Sequence, residues 1–330
     1  MRVWLNHWFS TAYYFVESLK KSGFYVMASN KRESCVYKTN ADEFYIEPDS
    51  DDDYVEYCLS FCKEHDVEIL VPRRGLSDIV RNKSSFEQLG IQVLCENDID
   101  IVDVFDSKSK TARYFEYLNV ISVPECMVVN NASEFIDAYS KLKENWSDIC
   151  IKYDCDEGGQ SFKRIKEFEP SMTRLTENYG LSYSLTHILE CMKTVESFKP
   201  MVVMPYLNGV EVSVDCFGYG TNFIAVPRYK LSNRVTRFEY DKRLYNICRK
   251  LWLQTHLTVP FNVQFRYHDG ELYILEVNLR LSGGSWKAQS IGVDFIGMGV
   301  KSIASVDFKF PEVRFKTKDL SNLEGVIELW

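Results

Sequence analysis

The chain has 330 residues, 45% of them hydrophobic and 26% charged, the balance of a globular enzyme with room for two or three domains. A net charge of −8 at pH 7 argues against a nucleic-acid or anionic-membrane partner, while leaving room for a local basic pocket that takes phosphates. Residues 1–10 have neither the apolar core nor the cleavage site of a signal peptide, and no apolar run approaches the roughly 20 residues of a membrane span, so a cytoplasmic protein with reduced thiols is expected.

In chain order, the first hundred residues alternate strand and helix. Val3–Leu5 predicts a strand, Thr11–Ser22 a helix stopped by Gly23, and Phe24–Ala28 a second strand. Phe44–Ile46 is a short strand and Asp51–His65 a helix with acidic residues in its first turn, where the helix dipole favours them. On that helix Cys58 and Cys62 share a face, as two buried thiols rather than half of a metal site. Val67–Val71 and Ile91–Leu94 are apolar runs of the kind found in buried parallel strands. The expected product is an open sheet with helices on both faces. After the first strand comes Asn6-His7-Trp8-Phe9-Ser10, without the Gly-x-Gly-x-x-Gly turn that lets a backbone approach a pyrophosphate, which argues against an oxidoreductase binding nicotinamide there.

From Asp106 the texture changes. A helix over Ser107–Leu118 is followed by Pro124 and a strand, a helix over Ala132–Leu142, the strand Ile149–Tyr153, a Gly-Gly turn, a strand near Phe162–Ile165, a helix over Tyr183–Val195 and the strand Met201–Tyr206. Long strands dominate the rest: Val210–Phe217, Asn222–Tyr229, Phe261–Tyr267 and Leu272–Leu279, with one long helix at about Arg237–His256. Three segments follow: 1–105, a parallel α/β domain; 106–200, a compact α+β unit; and 201–330.

The sharpest local pattern is Leu272 to Gly284, LYILEVNLRLSGG. In a strand, alternate residues share a face, so Leu275, Val277, Leu279 and Leu281 point one way and Glu276, Asn278 and Arg280 the other. Glu276 and Asn278 then offer hard oxygen ligands about 7 Å apart, suited to magnesium, and Arg280 stands one step on, placed to balance a phosphate. On Phe261–Arg266 the polar face is Asn262, Gln264 and Arg266. A three-residue loop with Gly270 left-handed puts Asn262 opposite Glu276 and combines the two polar faces.

The Glu-Val-Asn-Leu-Arg-Leu-Ser-Gly-Gly stretch resembles the Glu-x-Asn-x-Arg signature of the ATP-grasp superfamily of ligases, in its carbamoyl-phosphate synthase large-subunit-like branch. That resemblance implies an ATP-grasp fold, α/β and α+β, behind a Rossmann-like parallel-sheet domain, with 106–200 as a lid and 201–330 carrying the metal and catalytic site. It implies that Gln264, Glu276 and Asn278 hold two magnesium ions (manganese as an alternative), and that Arg280, with Arg228 and Lys230, steadies the transferring phosphoryl group. Met204-Pro205-Tyr206-Leu207-Asn208-Gly209-Val210-Glu211 is similar to the hinge that clasps adenine: backbone of Met204, Tyr206 and Leu207 for the base, Glu211 for the ribose. Lys108, with Lys110 as competitor, and Lys152 are similar to the lysines that reach the nucleotide phosphates, and Gly158 and Gly159 to the glycine-rich loop over them. Leu279 stands where the family has proline and Met204 where it often has glutamate, while Asp154, Asp156 and Glu157 crowd negative charge beside the loop.

The implied activity is ATP-dependent joining of a small-molecule carboxylate to an amine through an acyl phosphate, releasing ADP and phosphate, with a homodimer as the expected assembly. The alternative is a nucleotide-binding sensor that has lost ligase chemistry.

Overall fold

The computed structural model describes residues 1–156, 159, 161–167, 172, 180–312 and 316–323. By internal contact the chain divides into two compact units. One comprises Met1–Asp103, Val212–Val263 and Asn278–Trp330; the other comprises Val104–Glu211 and Gln264–Val277.

The first unit opens with a five-stranded sheet in the order β3-β2-β1-β4-β5. Its strands are β1 (Arg2–Asn6), β2 (Tyr25–Asn30), β3 (Glu43–Ile46), β4 (Ile69–Val71) and β5 (Gln92–Val93), and every adjacent pair is parallel. Val3, Trp4 and Leu5 are fully buried, as expected for a central parallel strand covered on both faces. The chain order reverses between β1 and β4, so the loops after these two strands flank the switch point where such sheets present ligands. Helix α1 (Ala12–Lys21) ends in Gly23 at φ 84°, a left-handed stop.

Helix α2 (Tyr54–Glu64) starts three residues later than its acidic run suggests. Asp53 is left-handed at φ 55°, and Asp51 is drawn away to accept from the Arg74 guanidinium at 2.6 and 2.9 Å. Cys58 and Cys62 on this helix are buried, and burial pushes the Cys58 thiol up to about 12.

A six-stranded sheet follows the order β15-β14-β11-β12-β13-β16, built from β11 (Glu211–Tyr219), β12 (Asn222–Lys230), β13 (Val235–Phe238), β14 (Phe261–His268), β15 (Glu271–Asn278) and β16 (Lys318–Ser321). The division between units passes through β14 and β15. Phe217, Ile224, Val226 and Phe238 share one core with Phe15, Val26 and Ile69 of the parallel-sheet region and with the helix Phe295–Ile303. The long helix begins at Lys242, not Arg237. Val235–Phe238 pairs instead with β12, and Asp241 caps the helix by accepting from the N–H groups of Arg243 and Leu244 at 2.7 and 3.1 Å.

The second unit holds a sheet in the order β6-β10-β7-β8-β9: β6 (Met127–Val129), β7 (Ile149–Tyr153), β8 (Lys163–Ile165), β9 (Ser182–Tyr183) and β10 (Met201–Pro205). Ile149, Ile151 and Val203 on one face pack with Phe135, Ala138 and Leu142 of the helix Ala132–Lys143 and with the helix Leu185–Met192. That last helix is shorter than expected, because Tyr183 pairs in β9 and Ser184 caps the helix. The other face carries a small cluster of Cys150, Val202 and Met204, with Leu275 and Phe162 against it. No described helix is long and apolar enough to cross a membrane.

Candidate active site

The face of the second unit's sheet opposite the helix Ala132–Lys143 gathers the candidate nucleotide residues. Lys152 faces Val202 across the β7–β10 ladder, and Cys150 faces Met204, so alternation places Lys152 on the same face as the Cys150–Met204 cluster. Lys108 arrives from the helix Lys108–Leu118, whose start is fixed by buried polar groups. Ser107 caps the helix, and Asp154 accepts from the Ser107 hydroxyl at 2.7 Å and from the Ser109 N–H at 2.8 Å.

Asp154 is thereby used structurally. Lys108 is 7% exposed, and its Nζ donates to the carbonyls of Asp156 at 3.0 Å and Asp154 at 3.3 Å. Burial draws its pKa below 10.5, the Lys152 charge acts in the same direction, and Glu276, Asp156 and Asp154 oppose them. Lys108, Lys152 and Glu276 are therefore electrostatic neighbours. Lys110 is exposed.

Beside Lys108 lies a crevice of about 10 Å³, room for one water, lined by Thr111, Cys126, Met204, Ile274 and Leu275. Leu207, just past β10, is 2% exposed, yet among the described residues its N–H meets no acceptor. A buried backbone donor without a partner calls for a ligand, and an adenine edge supplies the acceptor. Tyr206 spends its own N–H on the Asp148 carbonyl at 2.8 Å, while its ring is faced by Arg164 at 4.2 Å. Glu211 pairs with Arg266 at 3.6 Å. Of the glycine loop, Gly158 lies outside the described residues; Gly159 is left-handed at φ 66° and its carbonyl accepts from Phe162 N–H. The Asp156 carboxylate accepts from the N–H and hydroxyl of Ser161.

Gln264 and Glu276 are half-buried on neighbouring strands, and Asn278 is two residues on from Glu276. The connection between β14 and β15 is not the expected three-residue loop. It is the two-residue turn Asp269-Gly270, with φ 48° and 81°, the type I′ geometry whose twist matches the strands. His268 thus opposes Glu271, and loop length no longer argues for combining the polar faces. Asn262 departs from that set as well: it is fully buried and donates to Asp215 at 2.8 Å. Among the described residues no three His, Cys, Asp or Glu side chains gather as a metal centre. Glu276 with two amides fits magnesium that arrives on a nucleotide, since this ion takes one or two carboxylates and fills its shell with phosphate and water.

In the first unit Arg228 is buried and its charge is matched. Nε donates to Asp215 Oδ2 at 2.5 Å, and Nη2 donates to Asp215 Oδ1 at 3.2 Å and to the Ser282 hydroxyl at 2.8 Å. A side chain on Gly284 would lie 2.6 Å from Arg228 Nη1, so this glycine makes room for the guanidinium. Lys230 is exposed on the same strand. Lys287, absent from the sequence expectations, donates to Thr236 at 2.9 Å; burial first, then Arg228 and Lys230, draw its pKa below 10.5. Arg280 lies 5.9 Å from the Phe9 ring. Asp215, Ser282 and Lys287 escaped the sequence; the one available signal was a lone carboxylate, Asp215, inside the apolar run Val212–Phe217.

Comparison with known proteins bears on the family and the fold. Residues 197–325 match the family model described as ATP-grasp in the biosynthetic pathway with Ter operon, and residues 8–94 match the PylC-like N-terminal domain. The biotin carboxylase domain of 2-oxoglutarate carboxylase from Hydrogenobacter thermophilus, solved with MgADP and bicarbonate, superposes with a TM-score of 0.70 at 15% identity, over 95% of this chain and 72% of that one. N5-carboxyaminoimidazole synthetase from Staphylococcus aureus, solved with ADP, gives 0.70 at 14% identity, over 98% and 82%.

Residues 197–325 thus match an ATP-grasp family, behind a parallel-sheet N-terminal region that matches the PylC-like domain, and the chain shares the fold of the two ADP-bound enzymes. Within the class it resembles the carbamoyl phosphate synthase large chain, with 23% identity to that of Clostridium beijerinckii over 286 residues. The match takes in 81% of this chain and spans about a quarter, 24%, of that relative's length.

Proposed function

We propose that the chain is an ATP- and magnesium-dependent carboxylate–amine ligase. A carboxylate oxygen attacks the γ-phosphorus of ATP, ADP leaves, and an acyl phosphate forms. An amine nitrogen then attacks the acyl carbon, phosphate leaves, and the nitrogen loses a proton to give the amide. Lys108 and Lys152 bind the nucleotide phosphates, Met204, Tyr206 and Leu207 the base, Glu211 the ribose, and Gly158 and Gly159 cover the phosphates. Gln264, Glu276 and Asn278 would hold the magnesium ions, whose chemistry is to neutralise charge on the phosphates. Arg280 steadies the transferring group. Arg228, already paired with Asp215, acts by holding the Ser282–Gly284 turn, with Lys230 and Lys287 as the cations beside it.

The observation that carries this proposal is the buried Lys108, an electrostatic neighbour of Lys152 and Glu276 on the face of the second unit's sheet opposite the helix Ala132–Lys143. Its test is ADP release from MgATP across a panel of carboxylates and amines, with Glu276→Gln as control. Carboxylate-dependent ADP release that the substitution abolishes, at unchanged far-UV circular dichroism, is expected. Retained turnover in Glu276→Gln, or no nucleotide binding by the wild-type protein with magnesium, overturns it.

A further inference from the structure

A group of cations on the β12–β13 ribbon lies wholly within the first unit. Arg228 and Lys230 alternate onto one face of β12. Lys230 pairs directly with Thr236 of β13 in the antiparallel ladder, so Thr236 shares that face. Lys287, on the 3₁₀ helix Ser285–Ile291, reaches it too, donating to the Thr236 hydroxyl at 2.9 Å.

Arg228 is 8% exposed, and its guanidinium is held in one orientation. The Nε–Nη2 edge, the fork that matches a carboxylate, is spent on Asp215 at 2.5 and 3.2 Å, and Nη2 also donates to the Ser282 hydroxyl at 2.8 Å. Asp215 is spent in turn, accepting from Asn262 at 2.8 Å and from the Ser282 hydroxyl at 3.0 Å as well. Nη1 is what remains. Among the described residues it meets no acceptor, and it is not sealed from solvent. Gly284 stands against it. Its φ of −106° is open to any residue, but a side-chain carbon there would lie 2.6 Å from Nη1. That glycine is needed by the arginine and not by the backbone.

Lys287 is half-buried, and its one hydrogen bond among the described residues goes to a neutral hydroxyl. Burial first, then the charges of Arg228 and Lys230, draw its pKa below 10.5. An ammonium kept half-buried among like charges is costly unless an anion joins it. Nη1 and Nζ each offer donors from a single nitrogen, without the parallel pair that a planar carboxylate prefers. Such point donors suit the oxygens of a tetrahedral phosphate.

We infer that Arg228 Nη1 and Lys287 Nζ bind the phosphate that the ligase reaction releases. The inference rests on the ligase proposal and names the residues that hold one of its products.

The test is calorimetric titration of the nucleotide-free full chain with inorganic phosphate, with acetate at matched ionic strength as the planar control. The wild type should bind phosphate at least tenfold more tightly than acetate. Lys287→Met, similar in length and uncharged, should weaken phosphate binding tenfold or more at an unchanged or higher melting temperature, because fewer like charges are left together. Lys287→Arg should restore part of the affinity. Gly284→Ala, which sets a methyl group against Nη1, should also weaken phosphate binding, at unchanged far-UV circular dichroism.

Unchanged phosphate affinity in Lys287→Met or in Gly284→Ala, or equal affinity of the wild type for phosphate and acetate, overturns the inference and leaves the ligase proposal standing. Lys287-dependent phosphate binding by a protein that releases no ADP from MgATP with any carboxylate overturns the ligase proposal and leaves the phosphate site standing.

Discussion

Asp215 grips Arg228 through two hydrogen bonds, at 2.5 and 3.2 Å, where both side chains are almost sealed from solvent. Removing one partner of a buried pair strands the other charge, at a cost of about 3–5 kcal/mol. Asp215→Ala is therefore expected to lower the unfolding free energy by about that amount, measured in urea. The double substitution Asp215→Leu with Arg228→Met should recover part of the loss, because it leaves no unpaired charge, while Asn262 and Ser282 still lose their acceptor on Asp215. Equal destabilisation by the single and double changes would mean that the ion pair is not what holds this part of the sheet.

Lys108 gives a pH dependence with a definite sign. Its folded-state pKa lies below 10.5 because it is buried, and a bound phosphate favours its charged form. MgATP affinity should hold at neutral pH and fall as pH rises through a value below 10.5, whereas Lys108→Met should bind at least tenfold more weakly and lose this pH response. The unfolded chain keeps the lysine proton to higher pH than the folded one. The wild type should therefore gain stability relative to Lys108→Met between the two pKa values as pH rises. Calorimetric titration with MgATP at several pH values, and urea melts at the same values, read both effects. An identical pH profile in the two proteins would remove Lys108 from the phosphate site.

What the sequence disclosed depended on range. The strands of the parallel sheet were legible because Val67–Val71 and Ile91–Leu94 are apolar apart from Glu68 and Gln92, the pattern that burial on two faces produces. Lys108 and Lys152 could be singled out by likeness, but their being neighbours of Glu276 is a product of sheet topology. The Asp215–Arg228–Ser282 network joins two strands and a distant turn, and no local spacing encodes such a contact. The start of the long helix was misplaced because Arg237–Tyr240 suits a helix in isolation, whereas pairing with β12 claims Val235–Phe238. The β14–β15 turn was misjudged for a different reason. Asp-Gly admits both a two-residue turn and a longer bulged loop, and the alternation of polar residues on the two strands does not decide between them.

That turn can be tested directly. Gly270 sits at φ 81°, where an L side chain clashes with its own backbone, so Gly270→Ala should cost about 1 kcal/mol. Asp269→Asn, keeping a residue that tolerates left-handed φ, should change stability by less than about 0.5 kcal/mol. A three-residue bulged loop would also strain Gly270→Ala, but inserting one glycine after Gly270 would then be accommodated as readily as the native length. With the observed two-residue turn, the insertion should lower stability and disturb MgATP binding through Gln264 and Glu276.

The hinge supplies the last prediction. Gly209 N–H donates to the Tyr267 carbonyl at 2.9 Å, and a side-chain carbon on Gly209 would lie 2.4 Å from that same oxygen. The clash is with backbone, so β14 or the hinge has to move. Gly209→Ala should therefore destabilise by about 1–3 kcal/mol. Since Leu207 offers its N–H from the same short segment, the displacement should also weaken MgATP binding severalfold. A nucleotide analogue lacking the adenine amino and ring-nitrogen acceptors should be bound equally by both proteins, because it does not draw on the hinge. If Gly209→Ala loses affinity for the analogue to the same degree, the defect is general loosening and Leu207 does not bind the base.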